Sequence, residues 1–183
     1  MDIRDELTDG RIVLRRHNSA DVEPLYDAVM ESREELRPWM NWMADDYSME
    51  NTRYWTAASI NNWDMGVEYN FLITEKETGV ILGGCGLNII SQTNLIANLG
   101  YWVRTSRVGE GTATAVIKLL TGFAFNDLGF QRIEITIAVE NEKSKRAAEK
   151  GGAELEGIMR NSHRLHGVSH DGYMFSIIPS DLK

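Results

Sequence analysis

Short stretches of the chain alternate hydrophobic with polar residues, and such alternation predicts β-strands with one buried face. Residues 133–139 give the clearest case, because four β-branched residues alternate there with Glu134, Thr136 and Ala138. Similar patterns place further strands at residues 11–16, 69–74, 80–87, 98–103, 153–163 and 169–178. The last two read as a terminal hairpin.

Apolar residues spaced three or four positions apart predict helices between these strands. The predicted helices begin after Asn18 or Ser19, run from Ser48 to Asn62 with Trp55 and Ile60 facing inward, from Ala113 to Leu128, and from Asn141 to Lys150. Short connections favour antiparallel neighbours, whereas the two helical crossovers permit parallel pairs. We therefore predict an α/β (α+β) fold with one mixed, mostly antiparallel sheet of about seven strands and about four helices. Residues 1–183 would form one domain, with residues 1–10 as a loose segment.

A glycine-rich turn joins the strand at 98–103 to the longest apolar helix. Gly109 and Gly111 stand at the mouth of that helix, where the missing Cβ lets a ligand approach the backbone. The first helical turn also offers free amide hydrogens and the positive end of a dipole, which together favour a phosphate group. The turn lacks the Gly-Lys-Ser/Thr of a Walker A loop, and Thr114 stands where a Rossmann fingerprint has its third glycine. A plain strand-to-helix turn is the alternative.

Several motifs of the chain resemble those of the GNAT acetyltransferases. Val108-Gly109-Glu110-Gly111-Thr112-Ala113 resembles their pyrophosphate loop, usually Gln/Arg-x-x-Gly-x-Gly/Ala, and Asn141-x-x-Ser144 with Gly151-Gly152 resembles the second half of the signature. Residues 11–15, 36–39 and 155–160, together with Gly167 and Asp171, look like the RimJ/RimL-like branch, which acetylates protein N-termini. The resemblance spans nearly the whole chain and implies the GNAT fold, with a strongly twisted sheet.

The resemblance also implies how acetyl-CoA would bind. A bulge would splay the strand at 100–103 from its neighbour, and backbone groups of Tyr101, Trp102 and Val103 would hold the pantetheine arm and the acetyl oxygen. Amides within the loop Val108, Gly109, Glu110, Gly111, Thr112 and Ala113 would hold the pyrophosphate. Asn141 would bind the pantetheine, and Ser144 would give a proton to the departing sulfur. Asn141 also suits a helix cap, and serine is common in a first helical turn for local reasons.

Departures from the family pattern affect three positions. Val108 replaces the usual Gln or Arg, so that Arg107 could supply the missing phosphate contact. Ala148 stands where other GNAT branches have a tyrosine acid, which leaves Ser144 or solvent. His163 aligns with a glutamate base of the branch and has a suitable reference pKa near 6.5. A polar hairpin residue with no catalytic part, and water as the base, are the alternatives.

The acceptor is expected to be a primary amine. The segment 38–43 is rich in Trp and Met and precedes Asp45 and Asp46, so Trp39, Trp42 and the two acids could grip a positively charged amine or peptide. Packing of the aromatics on the sheet, with solvated acids, is the alternative. An α-amine with a pKa near 7.8 is deprotonated more easily than a lysine near 10.4, which suits a site without an obvious strong base.

Composition narrows the remaining classes. The formal net charge of −8 argues against a nucleic-acid partner and is compatible with a cationic acceptor. No apolar run suits a membrane span, no signal peptide is apparent, and the single Cys85 excludes an internal disulfide, so a cytoplasmic protein is expected. Cys85 lies in a predicted strand and is expected to be a buried inert thiol. No metal is expected, because the turn spacing of His163, His166 and His170 does not converge ligands.

These observations lead to one main hypothesis and two alternatives. The main one is an acetyl-CoA-dependent N-acetyltransferase acting on the α-amine of a protein or peptide, of the ribosomal-protein type. The alternatives are a small-molecule amine acetyltransferase, acting on a polyamine, amino acid or antibiotic, and an acyl-CoA-binding module with little turnover. The sequence is compatible with a monomer or a homodimer.

Overall fold

One mixed sheet of eight strands organises the chain, in a computed structural model that describes residues 3–182. The order across the sheet is β1-β2-β3-β4-β5-β6-β8-β7, and the parallel pair is β5 with β6. The strands are β1 (Glu6–Thr8), β2 (Ile12–Arg16), β3 (Tyr69–Glu75), β4 (Ile81–Ser91), β5 (Ile96–Val103), β6 (Arg132–Ala138), β7 (Glu154–Leu165) and β8 (Val168–Ile177). The predicted mixed, mostly antiparallel α/β sheet is confirmed.

Five helices accompany the sheet within the described residues: α1 (Val22–Glu31), α2 (Arg33–Leu36), α3 (Met49–Asp64), α4 (Thr112–Asn126) and α5 (Glu142–Gly151). The strand and the helix beyond the predicted numbers are β1 and α2, which have three and four residues and are too short to show a period. The expectation of a loose segment over residues 1–10 is wrong for Glu6–Thr8, because Leu7 is buried and pairs with Leu14 of β2. Residues 1, 2 and 183 of the predicted domain lie outside the described residues.

The inward face of α3 differs from the predicted one. Thr52, Thr56, Ser59 and Trp63 are its buried residues. Trp55 is 47% exposed, so its predicted inward position is wrong. Trp63 takes that place in the core instead, with its ring edge-on to those of Tyr69 and Phe71 at centroid distances of 5.2 and 4.7 Å. Trp55 is left to line a cleft.

The sheet separates two apolar clusters. The larger one packs α4 against the sheet and contains four fully buried phenylalanines, Phe71, Phe123, Phe130 and Phe175. The smaller one packs α1 against the other face, through Leu25, Ala28, Val29, Met43, Leu72 and Ile81. Side chains of a strand alternate between faces, so Tyr101 packs against the larger cluster and Trp102 against the smaller one.

A split opens in the middle of the sheet between β5 and β6. These strands pair at Ile96, Ala97 and Asn98, and then diverge. The backbone irregularity lies in the neighbouring strand β4, where the register with β5 shifts between Asn88 and Ser91 and Ile89 has a φ of 48°. Residues 99–103 of β5 and 135–138 of β6 therefore face each other without pairing. The expected splaying of residues 100–103 is present, and the bulge that accompanies it is on β4.

Candidate active site

The free edge of β5 presents backbone groups to the split. The N–H of Arg104 donates to the carbonyl of Leu82, and bonded pairs alternate along an antiparallel ladder. Trp102, opposite Gly84, therefore turns its backbone groups toward β4, whereas Tyr101 and Val103 turn theirs toward the split. Of the three residues predicted to hold a ligand by their backbone, Tyr101 and Val103 have the required orientation. Trp102 contributes its indole ring to the cleft instead.

A continuous cleft of about 670 Å³ passes through the split. It brings together Tyr101, Trp102, Asn141, Ser144 and His163, which the sequence suggested from three separate segments. The cleft is lined by residues of both sheet faces, because the diverging strands leave an opening between them. No Lys, Arg, Asp or Glu is among the described residues that line it. The polar groups that these residues present to the cleft are therefore amides, hydroxyls and imidazoles.

Two residues at the start of α5 face this cleft. Asn141 is the N-cap of α5, since its Oδ1 accepts a hydrogen bond from the Ser144 N–H at 3.1 Å. The predicted capping role is confirmed, and the amide nitrogen of Asn141 is left for another contact. The Oγ of Ser144 lies 2.9 Å from the hydroxyl oxygen of Tyr101, which also donates to the Ser144 carbonyl at 3.2 Å.

The phenol of Tyr101 is a functional group that sequence reasoning missed. Burial raises its pKa, and the hydrogen bond with Ser144 opposes that rise. A tyrosine on a core-facing position needs a polar partner for its hydroxyl, and this requirement is the signal that could have indicated the contact. The partner itself depends on how α5 sits over β5, which periodicity does not give.

His163 reaches the cleft from the terminal hairpin. It stands opposite His170 in the β7–β8 ladder, and its Nδ1 lies 3.2 Å from the Oγ of Ser162. His170 in turn places its Nδ1 3.2 Å from Oε1 of Glu140, and this hydrogen bond lowers the pKa of the Glu140 carboxyl. The hairpin thus brings an imidazole to the same cleft as Ser144, as the sequence suggested.

The loop from Val108 to Ala113 has the geometry of an anion-binding site. Gly109 and Gly111 have φ angles of 92° and 78°, in the left-handed region, and Gly111 is the N-cap of α4. Within residues 3–182, none of the backbone amides of residues 109–113 donates a hydrogen bond. Thr112 is buried, and Val108 is 54% exposed. The loop does not line the cleft, so one ligand contacting both must be elongated.

Arg107, which the sequence suggested as a phosphate ligand, is already engaged with carboxylates. Its guanidinium forms ion pairs with Glu75 and Glu110, which flank it. Arg11 instead donates from Nη1 to the hydroxyl of Thr112 at 3.4 Å, at the start of α4. Arg11 has no ion-pair partner among the described residues. The guanidinium available to an anion at this loop is therefore that of Arg11.

The predicted acceptor segment contributes its aromatic residues to the cleft. Trp39 and Trp42 line it, and the Trp42 ring lies 6.3 Å from that of Trp102. Asp45 pairs with Arg37, and neither Asp45 nor Asp46 lines the cleft. The suggestion that these acids grip the amine therefore has no support from their position.

Three further sequence-based expectations concern a thiol, a metal site and a membrane span. Cys85 is among the residues that line the cleft, but it is buried, which raises the pKa of its thiol and keeps it protonated. No group of three or more His, Cys, Asp or Glu side chains able to hold a metal occurs in residues 3–182. Across the same span, every helix falls short of the length and apolar character that crossing a membrane requires.

Comparison with known proteins adds independent findings. Residues 11–154 match the model of a family described as acetyltransferase (GNAT) domain. The ribosomal-protein-serine acetyltransferase of Escherichia coli is 25% identical over 157 residues, which cover 86% of this chain and 87% of that protein.

Solved structures agree with this result. RimL, a ribosomal L7/L12 α-N-protein acetyltransferase in complex with coenzyme A, superposes with a TM-score of 0.87 at 25% identity and covers 99% of both chains. The microcin C7 self-immunity acetyltransferase MccE, in complex with acetyl-CoA and AMP, has a TM-score of 0.86 at 26% identity and covers 93% of both chains.

Proposed function

The chain belongs to the GNAT acetyltransferase family, and from this membership we propose that it acetylates the N-terminal α-amine of a protein, with acetyl-CoA as the acetyl donor. The observation that carries the proposal is the cleft through the β5–β6 split, whose described lining holds no Lys, Arg, Asp or Glu, with Ser144 and Tyr101 on one side and Trp102 on the other. We further propose that the protein acts in the cytoplasm, where ribosomal proteins such as those named for its relatives are made.

The geometry fits acetyl-CoA at both ends. Unpaired amides of residues 109–113 and the guanidinium of Arg11 suit a pyrophosphate. The backbone groups of Tyr101 and Val103 that face the split suit an extended amide-containing arm, which can pair with a strand edge. The free amide of Asn141 is a further donor for that arm. Bound acetyl-CoA would supply the thioester whose acetyl group is transferred.

Residues of this chain would then stabilise the developing negative charge and transfer protons. The backbone N–H groups of Tyr101 and Val103 that face the split are candidates to stabilise an oxyanion. The hydroxyl of Ser144 donates a proton to the departing sulfur, Tyr101 returns one to Ser144 by the hydrogen bond between them, and solvent in the cleft returns one to Tyr101. His163, or a water next to it, accepts the proton that the acceptor amine loses.

The absence of charge along the described lining favours a single neutral amine over a polycation. A polyamine or an aminoglycoside carries several ammonium groups, which a site would match with carboxylates, and the described lining contains none. No Lys or Arg of residues 3–182 lines the cleft either, so none of these residues would pair there with a phosphate of a nucleotide such as the AMP bound by MccE. An α-amine, with a pKa near 7.8, loses its proton at little cost near neutral pH.

Release of coenzyme A thiol tests the proposal directly. The purified protein is mixed with acetyl-CoA and, in separate reactions, with peptides of varied first residue, with ε-amino lysine peptides blocked at the α-amine, with polyamines and with aminoglycosides. We expect turnover with free α-amines and little with the others. Turnover confined to polyamines or aminoglycosides would favour a small-molecule acetyltransferase, and tight coenzyme A binding without release for any acceptor would favour a binding module.

A further inference from the structure

A row of residues crosses the sheet on the α1 side and leads away from the split. Gly100 of β5 stands opposite Gly86 of β4, and Gly86 stands opposite Asn70 of β3. The last residue pair of β2 with β3 is Arg16 with Phe71, so His17 follows beside Asn70. Residues directly opposite each other in a sheet share a face. His17, Asn70, Gly86 and Gly100 therefore form one row that ends at the split.

The two glycines make the middle of this row a trough. A Cβ on Gly86 would stand 2.4 Å from Oδ1 of Asn70, closer than atoms can approach, so the amide of Asn70 lies over the glycine backbone. The amide nitrogen of Asn70 donates to Oε2 of Glu68 at 3.0 Å, which fixes its oxygen toward the trough. All four residues of the row line the cleft. Its walls include Leu25, Val29, Trp42, Tyr54 and Trp55.

The far end of the trough holds a polar group without a partner. His17 is only 9% exposed, and its Nδ1 has no hydrogen-bond partner among the described residues. Burial is the main reason that the pKa of His17 is lowered to about 4, with Asp21 and Arg15 as the nearby charges. The imidazole is therefore neutral near pH 7, with one nitrogen able to accept a hydrogen bond and the other able to donate one. A buried polar group without a partner costs stability unless something binds it.

The width of the sheet sets the size of the ligand that can use this end. Three strand spacings separate β5 from β2, which amounts to about 14 Å, and an extended chain advances about 3.4 Å per residue. An acceptor whose amine lies at the split therefore comes level with Asn70 and His17 at about its third or fourth residue. An amino acid or another compact amine cannot reach them.

We propose that the trough binds the first three to four residues of the acceptor as an extended chain, with Asn70 and His17 hydrogen-bonding its backbone around the fourth. This inference rests on the proposed function and adds a length requirement to it. Peptide N–H and C=O groups are neutral and polar, and they suit Oδ1 of Asn70 and Nδ1 of His17, which have no hydrogen-bond partner among the described residues.

A length series tests the proposal. Serine amide and serine-initiated peptides of two, three, four and six residues are compared by their kcat/KM at saturating acetyl-CoA. We expect kcat/KM to rise by about tenfold or more between two and four residues and to level off afterwards, as one to two backbone hydrogen bonds imply. A rate that does not depend on length beyond one residue would overturn the proposal. Failure of every α-amine would instead overturn the proposed function.

Two variants of His17 separate hydrogen bonding from packing. H17Q keeps hydrogen-bonding atoms, and H17L fills the space without them. We expect H17L to lower, through KM, the ratio of kcat/KM for the four-residue peptide to that for serine amide, and to bind coenzyme A normally. H17Q should retain part of the gain. The same gain in H17L as in the wild type would contradict the inference, and if H17L fails to bind coenzyme A, the wild-type length series and H17Q decide.

Discussion

The hydroxyl oxygens of Tyr101 and Ser144 lie 2.9 Å apart, although one residue belongs to a strand and the other to a helix that follows the next strand. The Tyr101 hydroxyl also donates to the Ser144 carbonyl in one of its orientations. A hydroxyl has one hydrogen, so when it goes to that carbonyl, the Ser144 hydrogen points to Tyr101. When the Tyr101 hydrogen goes to Ser144 Oγ, the Ser144 hydrogen is free to point into the cleft.

Replacing Ser144 by alanine tests its part as proton donor. We expect S144A to lower kcat by about 100-fold, in the range of general acid catalysis, because the sulfur would leave without a positioned proton. Coenzyme A affinity, measured by calorimetry, should be nearly unchanged. Unchanged kcat would remove Ser144 from the mechanism. S180A is a matched control, since Ser180 is an exposed serine that follows β8 and does not line the cleft.

The Y101F variant isolates the phenol from the ring. The ring would keep its packing, and we expect kcat to fall about tenfold because Ser144 loses the group that orients and reprotonates it. Tyr101 acts through Ser144, so Y101F should cost little more in an S144A background, and a double-mutant cycle measures this coupling. Equal losses from Y101F with and without Ser144 would show that the phenol acts by another route.

Gly111 and Gly129 are a matched pair of positions with which to test the proposed anion-binding loop. Both have left-handed φ angles, of 78° and 73°, and a Cβ would meet nothing within 4 Å at either. Alanine at either position should therefore cost a similar ~1–2 kcal/mol of backbone strain. G111A should in addition weaken coenzyme A binding at least tenfold, because the strained turn would shift amides that face the phosphates, whereas G129A should not. Equal coenzyme A affinity in both variants would argue against this loop as the phosphate site.

Stability should depend on pH through His17. Its pKa is lowered to about 4 in the folded chain from an ordinary value of 6.5. Between these values the unfolded chain binds one more proton, so the free energy of unfolding falls as the pH falls from about 6.5 to about 4. Below about pH 4 His17 is protonated in both states and causes no further change. The full shift corresponds to about 3 kcal/mol. Urea unfolding across this range should show a shallower pH dependence in H17L, and an identical dependence would contradict a buried neutral imidazole.

Much of the fold could be predicted because its elements are long and periodic. The strand β6, the helix α4 and the N-cap Asn141 follow from local patterns, and the motif resemblance joined them correctly. β1 was missed because three residues show no alternation. Trp55 was placed inward because hydrophobicity favours burial, whereas it lines a cleft whose existence depends on the divergence of two strands.

The candidate site, like the fold, could be predicted only where a local sequence pattern indicates it. Glycine spacing indicated the loop at 108–113, and the serine three residues after Asn141 followed from the motif. The Tyr101 phenol, the Arg11 guanidinium and the row from Gly100 to His17 depend on register and on contacts between distant segments. Such relationships arise only when the sheet is assembled, and no local pattern carries them.

Gly151 lies where α4 and α5, the two helices that we propose to contact acetyl-CoA, pack against each other. A Cβ on this residue would stand 2.7 Å from Cγ2 of Ile117, so α5 rests on α4 with backbone against side chain. α4 begins at the loop that we propose to bind the pyrophosphate, and Ser144 lies in the first turn of α5. The contact between the two helices therefore sets the distance from the proposed phosphate site to Ser144. A bulkier residue at position 151 would change that distance without touching the cofactor.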